Sequence, residues 1–390
     1  IKFSFFSYFL IPFLDNPFYI GYNTVNRCRR DNAVYREDIM SNENKTVFSK
    51  KDTAAVKGLA VCLLLIHHLY MGVLPAPMSF FGNSPLTVFA TLSKVCLAVF
   101  ALLSGYGVAI SFRNRKEDVS VIAFQKKHLL GLLKPYWLVY AVFFILSAFF
   151  AREEFSIAAC YGTGVKGFFS ALAEIFALRP LFGTGTLNQT WWYMEAALVL
   201  YLLFPLFYRL CEKVPYLLLP VTALPLIFYT IFGNNVWDTC REIYWFFPFC
   251  VGIFLAQRDL LSRFCEMCEK SRAKCTAVSF LILLVCTILR ARIGLAFDTF
   301  FALSILLFMR CVFCRMPIVG GVLSFLGKYS ADIFYTHSFF YCYFVTQKYF
   351  VRYFLWSENV FMLLAAFPAL LAVSLAAAML LERMRKVLFK

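Results

Sequence analysis

A lysine and a histidine three helical turns apart are the first candidates for chemistry in this sequence. Lys57 and His68 bracket an otherwise apolar run, Lys57-Gly-Leu-Ala-Val-Cys-Leu-Leu-Leu-Ile-His67-His68. At about 3.6 residues per turn both fall on one face of a helix, and His68 lies roughly 16 Å deeper than Lys57. His67 is predicted to point about 100° away and not to share that face. The alternative is structural: a lysine that snorkels to the surface and a histidine hydrogen-bonded inside a bundle.

A second apolar run holds another cation. Lys94 lies about eight residues inside the run that begins near residue 86, so it needs a cavity or a polar partner. Ser104 and Tyr106 follow in the motif Ser-Gly-Tyr-Gly, whose small residues let helix backbones approach closely. Plain helix packing explains these glycines, but it does not explain Lys94.

A basic cluster opens the third apolar run. It consists of Lys126, Lys127, His128 and Lys134, and Pro-Tyr-Trp follows it directly. Cations beside aromatic residues suit a phosphate-bearing ligand. The same pattern is typical of a positively charged cytoplasmic anchor with an aromatic belt, so both interpretations stay open.

Two later runs carry buried polar candidates. Trp191, Trp192 and Glu195 open the fourth run, and Glu195 lies about one turn inside it, where a carboxylate needs a partner or a water-filled cleft. The tryptophans could stack on a sugar ring or form an interfacial belt. Nearer the C-terminus, Asp332 and His337 are five residues apart and do not share one helix face. Hydrogen bonds within the bundle are the alternative to a functional role.

Two Cys-x-x-Cys pairs, Cys265/Cys268 and Cys311/Cys314, could supply four thiolates to zinc. They lack the glycines and tight loops of such sites, so we predict no metal site. Most other cysteines lie inside apolar runs, where cysteine acts as a small hydrophobic residue.

The elements that position these residues are predicted to be membrane spans. Hydrophobic residues make up 61% of the 390 residues and charged residues 15%, with a mean hydropathy of +0.72. Soluble domains are about 45–50% apolar and about 25% charged, which excludes that class. We predict an all-α polytopic transmembrane helix bundle of about ten spans. The predicted spans are 57–74, 86–111, 129–150, 191–210, 215–232, 242–257, 275–291, 294–312, 323–347 and 360–382. The apolar stretch 168–182 is short, which favours a re-entrant or interfacial helix there.

Basic residues indicate which loops are cytoplasmic. Lys and Arg concentrate in the loops 112–128 and 258–274 and after residue 382, which the predicted spans place on one side of the bilayer. We therefore predict a multi-pass cell-membrane protein with both termini in the cytoplasm. The net charge of +16 is spread over these loops and forms no single stripe, so no nucleic-acid partner is expected.

The chain is divided into an N-terminal cytoplasmic segment, 1–55, and a transmembrane domain, 56–387. Met40 precedes a short polar segment that leads into the first long apolar run. We expect Met40 to be the biological start and 1–39 to be dispensable. A signal peptide is the rival interpretation, but the basic residues follow the early apolar stretch instead of preceding it.

Four ordered blocks resemble the membrane-bound acyltransferase-3 family, which transfers acyl groups, often acetyl, to hydroxyls of surface glycans. The blocks are Lys57-Gly-Leu-Ala…His67-His68, Lys94-Val-Cys…Phe-Ala-Leu-Leu-Ser-Gly-Tyr-Gly, Trp191-Trp-Tyr…Tyr201…Pro205 and Leu326-Gly-Lys-Tyr-Ser…Ile-Phe…His337. Together they span the chain from about Val56 to Val387. The family's usual first-span arginine corresponds to Lys57 and its essential histidine to His68. Its Arg-x-x-Arg pair corresponds to His128 and Gly131, which is a departure.

The resemblance implies an acyltransferase with no bound cofactor, an acyl-CoA co-substrate such as acetyl-CoA on the cytoplasmic side, and a glycan or lipid-linked sugar acceptor. It implies His68 as the catalytic base, which takes the acceptor proton. Glu195 enters from the outer side on the fourth span and should lie at a depth similar to that of His68, so we expect the two to face one cleft, with Glu195 orienting the imidazole or binding the sugar. The expected donor-binding residues are Lys57, Lys94, Lys126, Lys127, His128 and Lys134. The expected acceptor-binding residues are Ser104, Tyr106, Trp191, Trp192 and His337. Lys94 or Ser104 could stabilise an oxyanion.

Two other classes of protein fit the same intramembrane charges. A transporter or lipid flippase would use them to bind and move a solute, and a membrane scaffold would use them only for packing. The two halves of the chain show no repeat, which disfavours an inverted-repeat transporter.

Overall fold

The computed structural model describes residues 48–71, 85–116, 118–232, 241–355 and 360–388. Over these ranges the chain is an all-α bundle without a named strand, and its only isolated bridge joins Ala151 to Phe344. The predicted all-α fold is confirmed. The expectation that 1–39 is dispensable falls on residues outside the described ranges.

Seventeen α-helices run through the described part of the chain. In order they are α1 (Lys50–Tyr70), α2 (Pro85–Ser93), α3 (Cys96–Arg113), α4 (Val121–Phe150), α5 (Ile157–Tyr161), α6 (Gly164–Ile175), α7 (Arg179–Phe182), α8 (Trp192–Lys213), α9 (Pro215–Phe232), α10 (Phe246–Gln257), α11 (Leu260–Lys270), α12 (Arg272–Ile293), α13 (Asp298–Cys311), α14 (Pro317–Lys328), α15 (Ser330–Ser338), α16 (Gln347–Phe350) and α17 (Val360–Leu388). Short 3₁₀ or π turns extend several of them.

Eight helical stretches of the described chain are long and apolar enough to cross a membrane, and each overlaps one of the ten predicted spans. The other two predictions, 242–257 and 323–347, fall on shorter apolar helices. The stretch 168–182 holds α6 and α7, which are both too short to span. Eight of the ten predicted spans therefore coincide with helices long enough to cross a membrane.

The predicted span 323–347 is not one helix, which corrects the sequence analysis. The chain leaves α14 at Lys328, continues as α15, and then forms a π-helical turn over Phe339–Tyr343. At the break, the Ser330 hydroxyl donates to the Gly327 carbonyl at 2.9 Å. A side chain thus satisfies a carbonyl that the end of α14 leaves open.

A capping box starts α1. The Ser49 hydroxyl accepts from the Asp52 amide at 3.1 Å, and the Asp52 carboxylate accepts from the Ser49 amide at 2.9 Å. This reciprocal pair satisfies two amides that the first turn leaves without helical partners. It explains why the helix begins at Lys50, one to two turns before the predicted span.

Backbone-to-backbone contacts at glycines join the central helices. A Cβ atom added to Gly58 would lie 1.9 Å from the Leu323 carbonyl oxygen, and one added to Gly327 would lie 1.8 Å from the Ala54 oxygen. The Gly105 and Gly252 positions of α3 and α10 show the same closeness, since each added Cβ would lie 2.1 Å from a carbonyl oxygen of the other helix. Such crossings need residues without side chains.

The outer helices present apolar side chains to the surroundings. On α9 and α12, Leu217 and Leu281 are 65% and 59% exposed, and Phe280 is 54% exposed. A soluble protein would bury such residues, so this surface fits contact with lipid acyl chains. The most enclosed spans are those of α1, α3 and α13.

Gly327→Ala is expected to destabilise the bundle by about 1–3 kcal/mol or more, because the new Cβ has no room beside the Ala54 carbonyl. Gly321→Ala on the same helix is the control, since its Cβ would have no neighbour within 4 Å. Alanine there should be neutral or stabilising by about 0.5–1 kcal/mol. Thermal unfolding of both purified variants in detergent measures this, and equal melting temperatures would contradict the close crossing.

Candidate functional site

A cavity of about 290 Å³ lies where α1, α3, α8 and α9 meet the 3₁₀ turn that leads into α10. Its polar and aromatic lining residues are His67, His68, Lys94, Thr190, Trp192, Tyr229, Tyr244 and Trp245. The remaining lining residues are Leu64, Cys96, Leu97, Leu226, Leu295 and Phe334. A mostly apolar pocket with a few converging polar groups is the usual form of a small-molecule site.

Both histidines of α1 line this cavity, which corrects the prediction that His67 faces elsewhere. Successive helix residues do point about 100° apart, but the cavity is wide enough to meet both rings, whose centroids are 5.3 Å apart. The Nδ1 atom of His67 is hydrogen-bonded to the Ala90 carbonyl oxygen at 2.8 Å. His68 lies between His67 and His337, whose ring centroid is 5.0 Å from its own.

Lys94 reaches the cavity from a turn, not from inside a continuous helix. The turn formed by Lys94 and Val95 separates α2 from α3. A buried ion pair between Arg290 and Asp298 lies close enough for Asp298 to interact electrostatically with Lys94. The sequence analysis did not single out Arg290, because its partner Asp298 lies on the next helix.

Glu195 pairs with Arg179 and does not line the cavity. The Arg179 guanidinium donates to its two carboxylate oxygens, from Nε at 2.8 Å and from Nη2 at 3.1 Å. The carboxylate is therefore satisfied by the cation that opens α7. The structure does not bring Glu195 and His68 into one cleft, contrary to the expectation from their depths.

The two tryptophans at the start of α8 have different positions. Trp191 is buried, donates from Nε1 to the Tyr335 carbonyl at 2.9 Å and packs edge-on against Tyr136. Trp192 is half-buried and lines the cavity, 6.1 Å in ring centroids from Trp245. Of the pair, only Trp192 is placed to touch a ligand there.

A hydrogen-bonded loop before α8 supports the cavity wall at Thr190. The buried Asn188 accepts from the Thr190 hydroxyl at 2.8 Å and donates to the Ser338 hydroxyl at 2.7 Å. This link ties the loop to the end of α15. The sequence analysis missed it, because Asn188 and Ser338 are far apart in the chain and neither belongs to a charged motif.

Glu174 anchors the same loop from α6. Its carboxylate accepts from the Tyr161 and Thr186 hydroxyls and, at 2.9 Å, from the Leu187 amide. Burial raises the pKa of Glu174 to about 7. The loop is thus held by a side chain that the sequence did not single out.

His337 is fully buried behind the cavity wall. Its Nδ1 atom lies 2.8 Å from the Phe334 oxygen and 3.2 Å from the Ile333 oxygen. Asp332 on the same helix is held by Arg385 of α17 at 2.6 and 2.5 Å. His337 therefore contacts His68 but does not line the cavity as an acceptor-binding residue would.

The predicted donor-binding cations lie away from the cavity, apart from Lys94. Lys57 is half-buried on α1, and Lys126, Lys127 and Lys134 are exposed on α4. His128 packs its ring on Phe124, with 4.0 Å between centroids. The three lysines of α4 are accessible to a donor, but the structure does not bring any of these residues together with His68.

Ser104 and Tyr106 are also outside the cavity lining. Ser104 is hydrogen-bonded to Tyr201, and Tyr106 is buried edge-on against Phe48 at 5.9 Å between ring centroids. Both side chains of α3 therefore pack against neighbouring parts of the bundle. This agrees with the alternative that the motif serves helix packing.

One cysteine of each Cys-x-x-Cys pair contacts a cysteine of the other pair. Cys268 and Cys311 lie with their sulfur atoms 3.4 Å apart, while Cys265 accepts from the Arg310 guanidinium at 3.2 Å. Among the residues that the structure describes, no group of three or more potential ligands is arranged to hold a metal ion.

Comparison with protein families decides the kind of protein. A family model described as an acyltransferase domain, that of the acyltransferase-3 family, matches residues 54–383. The chain belongs to the acyltransferase-3 family. No curated protein and no solved structure matches the chain. The match confirms the resemblance, makes the chain a membrane acyltransferase for groups other than aminoacyl groups, and includes every residue that lines the cavity.

Arg179→Ala should destabilise this acyltransferase by up to about 3–5 kcal/mol, because it leaves the Glu195 carboxylate buried without its partner. The double variant Arg179→Ala/Glu195→Gln should recover part of the loss, since the amide carries no charge to bury. Thermal unfolding in detergent provides the measurement. The ion pair has no such role if Arg179→Ala melts like the wild type.

Proposed function

We propose that this acyltransferase moves an acyl group, in particular acetyl, from acyl-CoA on the cytoplasmic side to a hydroxyl of a cell-surface glycan or a similar acceptor. The observation that supports this proposal most is the position of His68, which lies in the cavity wall beside His67 and Lys94. An imidazole in such a pocket suits the removal of a hydroxyl proton. The family supplies the acyl-transfer chemistry that this group would serve.

His68 acts as the general base in this proposal. As the acceptor oxygen attacks the thioester carbonyl, its proton passes to His68, and a new C–O ester bond forms. The C–S bond then breaks, and the proton on His68 returns to the leaving CoA thiolate. Atoms and charges balance without another reactant, and one imidazole serves as base and then as acid.

Lys94 stabilises the negative charge on the carbonyl oxygen during attack. Lys94 and His68 both line the cavity, so a carbonyl carbon between them would have its oxygen near a cation. Charge that develops in a pocket shielded from water is stabilised more strongly than in solution. Ser104, the other candidate in the sequence, faces Tyr201 instead.

The acceptor sugar lies against the aromatic part of the cavity wall. Trp192, Tyr229, Tyr244 and Trp245 all line the cavity. Such rings offer apolar faces on which the C–H face of a sugar can stack, while the Thr190 hydroxyl offers a hydrogen bond. The predicted orientation places this end of α1 toward the outside, where a surface glycan would approach.

The donor approaches from the opposite end of α1. Lys57 lies three turns before His68, and Lys126, Lys127 and Lys134 are exposed on α4. Their charges would hold the phosphates of CoA, while the pantetheine arm extends along α1 toward His68.

His68→Ala should lower acyl transfer by about 10²–10⁴-fold, the usual contribution of a general base. His67→Ala should keep most of the activity, because the Nδ1 atom of His67 is already bonded to the Ala90 carbonyl. The assay follows radiolabel from [¹⁴C]acetyl-CoA into glycan in membranes with equal amounts of inserted protein. Near wild-type transfer by His68→Ala would remove His68 from the mechanism, and solute flux without any transfer would favour a transporter.

Lys57→Glu should raise the apparent KM for acetyl-CoA severalfold while leaving kcat nearly unchanged, because it places a repelling charge on the proposed phosphate path. Lys57→Gln is the matched variant, and it should raise KM less, since it only removes the attraction. Initial rates over a range of acetyl-CoA concentrations give both constants. Unchanged constants in both variants would exclude Lys57 from donor binding.

A further inference from the structure

His337 has one ring nitrogen in use and one without a partner. Its Nδ1 lies within hydrogen-bond distance of two backbone carbonyl oxygens, those of Phe334 and Ile333. Its Nε2 is buried and has no hydrogen-bond partner in the described structure. A buried polar atom without a partner is uncommon and calls for an explanation.

The neighbours of Nδ1 fix which nitrogen carries the proton. Carbonyl oxygens only accept hydrogen bonds, so Nδ1 must donate to them and carry the hydrogen. The Nε2 atom of the neutral ring is then a lone pair that can only accept. The Nε2 atom of His337 is thus a buried hydrogen-bond acceptor whose direction is fixed by the hydrogen bonds at Nδ1.

His68 is the neighbour that can use this acceptor. The two ring centroids are 5.0 Å apart with the ring planes tilted by 54°, so the rings are direct neighbours, while Nε2 of His337 makes no hydrogen bond in this structure. His68 lines the cavity, whereas His337 does not. A hydrogen bond between them would leave the second nitrogen of His68 for the acceptor hydroxyl.

The buried carboxylates near these spans are already paired. Glu195 pairs with Arg179, Asp298 with Arg290, and Asp332 with Arg385. The other titratable groups whose charges act on His68 are His67 and Lys94, and neither is an anion. Among the described residues, no carboxylate forms an ion pair with His68, so no Asp plays the part it plays in a serine-protease triad.

We infer that His337 is the positioning residue for His68, by accepting a hydrogen bond from it at Nε2. This inference rests on the proposed function. The bond fixes the His68 tautomer whose free nitrogen faces the cavity and stabilises the imidazolium that forms when His68 takes the hydroxyl proton. That proton returns to the CoA thiolate, and His337 itself neither gains nor loses one.

Two substitutions at His337 separate this role from a packing role. His337→Asn keeps a donor near the position of Nδ1 but loses the acceptor at the distance of Nε2, whereas His337→Gln keeps an acceptor at that distance. The inference predicts that His337→Asn lowers kcat by about 10²-fold with KM for acetyl-CoA unchanged. His337→Gln should recover much of the lost rate. A purely structural role predicts the reverse order.

The measurement uses the full chain in proteoliposomes, with [¹⁴C]acetyl-CoA as donor and glycan extracted from cells that lack the protein as acceptor. Each variant is compared at equal folded amount, judged by its melting temperature. A normal kcat for His337→Asn, or Asn outperforming Gln, overturns the inference while leaving the proposed function intact. Absence of transfer by the wild type, or full transfer by His68→Ala, instead overturns the proposed function.

Discussion

The close crossing of α1 and α14 is the constraint on which the rest of the site depends. At Gly58 and Gly327 the two backbones approach so closely that a Cβ atom on either would strike a carbonyl oxygen of the other. Because α15 continues directly from α14, this crossing also sets where His337 lies relative to His68. A larger residue at either glycine would separate the helices and, with them, the two imidazoles.

Paired charges supply the second level of organisation. Burying an ion without a partner is costly in a protein interior and more so within a bilayer, so each arginine–carboxylate pair ties two elements together. Arg179 with Glu195 joins α7 to α8, Arg290 with Asp298 joins α12 to α13, and Arg385 with Asp332 joins α17 to α15. The buried carboxylates around the cavity are held in these ion pairs, so the polar groups of the cavity wall are imidazole, ammonium and hydroxyl groups.

The sequence predicted the bundle well and the site only in part. The thickness of the bilayer sets the length of each apolar run, so the positions of the spans could be predicted from local sequence. His68 could be selected as a candidate because it lies deep in such a run. The partner of Glu195 could not be predicted, because Arg179 opens the four-residue helix α7, whose position depends on tertiary packing. The shared position of His67 and His68 was also missed, since helical geometry gives directions but not the width of a cavity. The break after Lys328 depends on side chains that take over backbone hydrogen bonds, which hydropathy does not detect.

The pairing of α1 with α14 also has a consequence for how the protein is made. The helices at Lys50–Tyr70 and Pro317–Lys328 are far apart in the chain, so the ribosome delivers His68 to the membrane long before it delivers Gly327 and His337. Until then the face of α1 that packs against α14 can contact only lipid or the insertion machinery. Phe334 of α15 belongs to the cavity lining, so the cavity is among the last features to assemble during biogenesis. A nascent chain that stalls before α14 carries α1 without this part of the cavity wall.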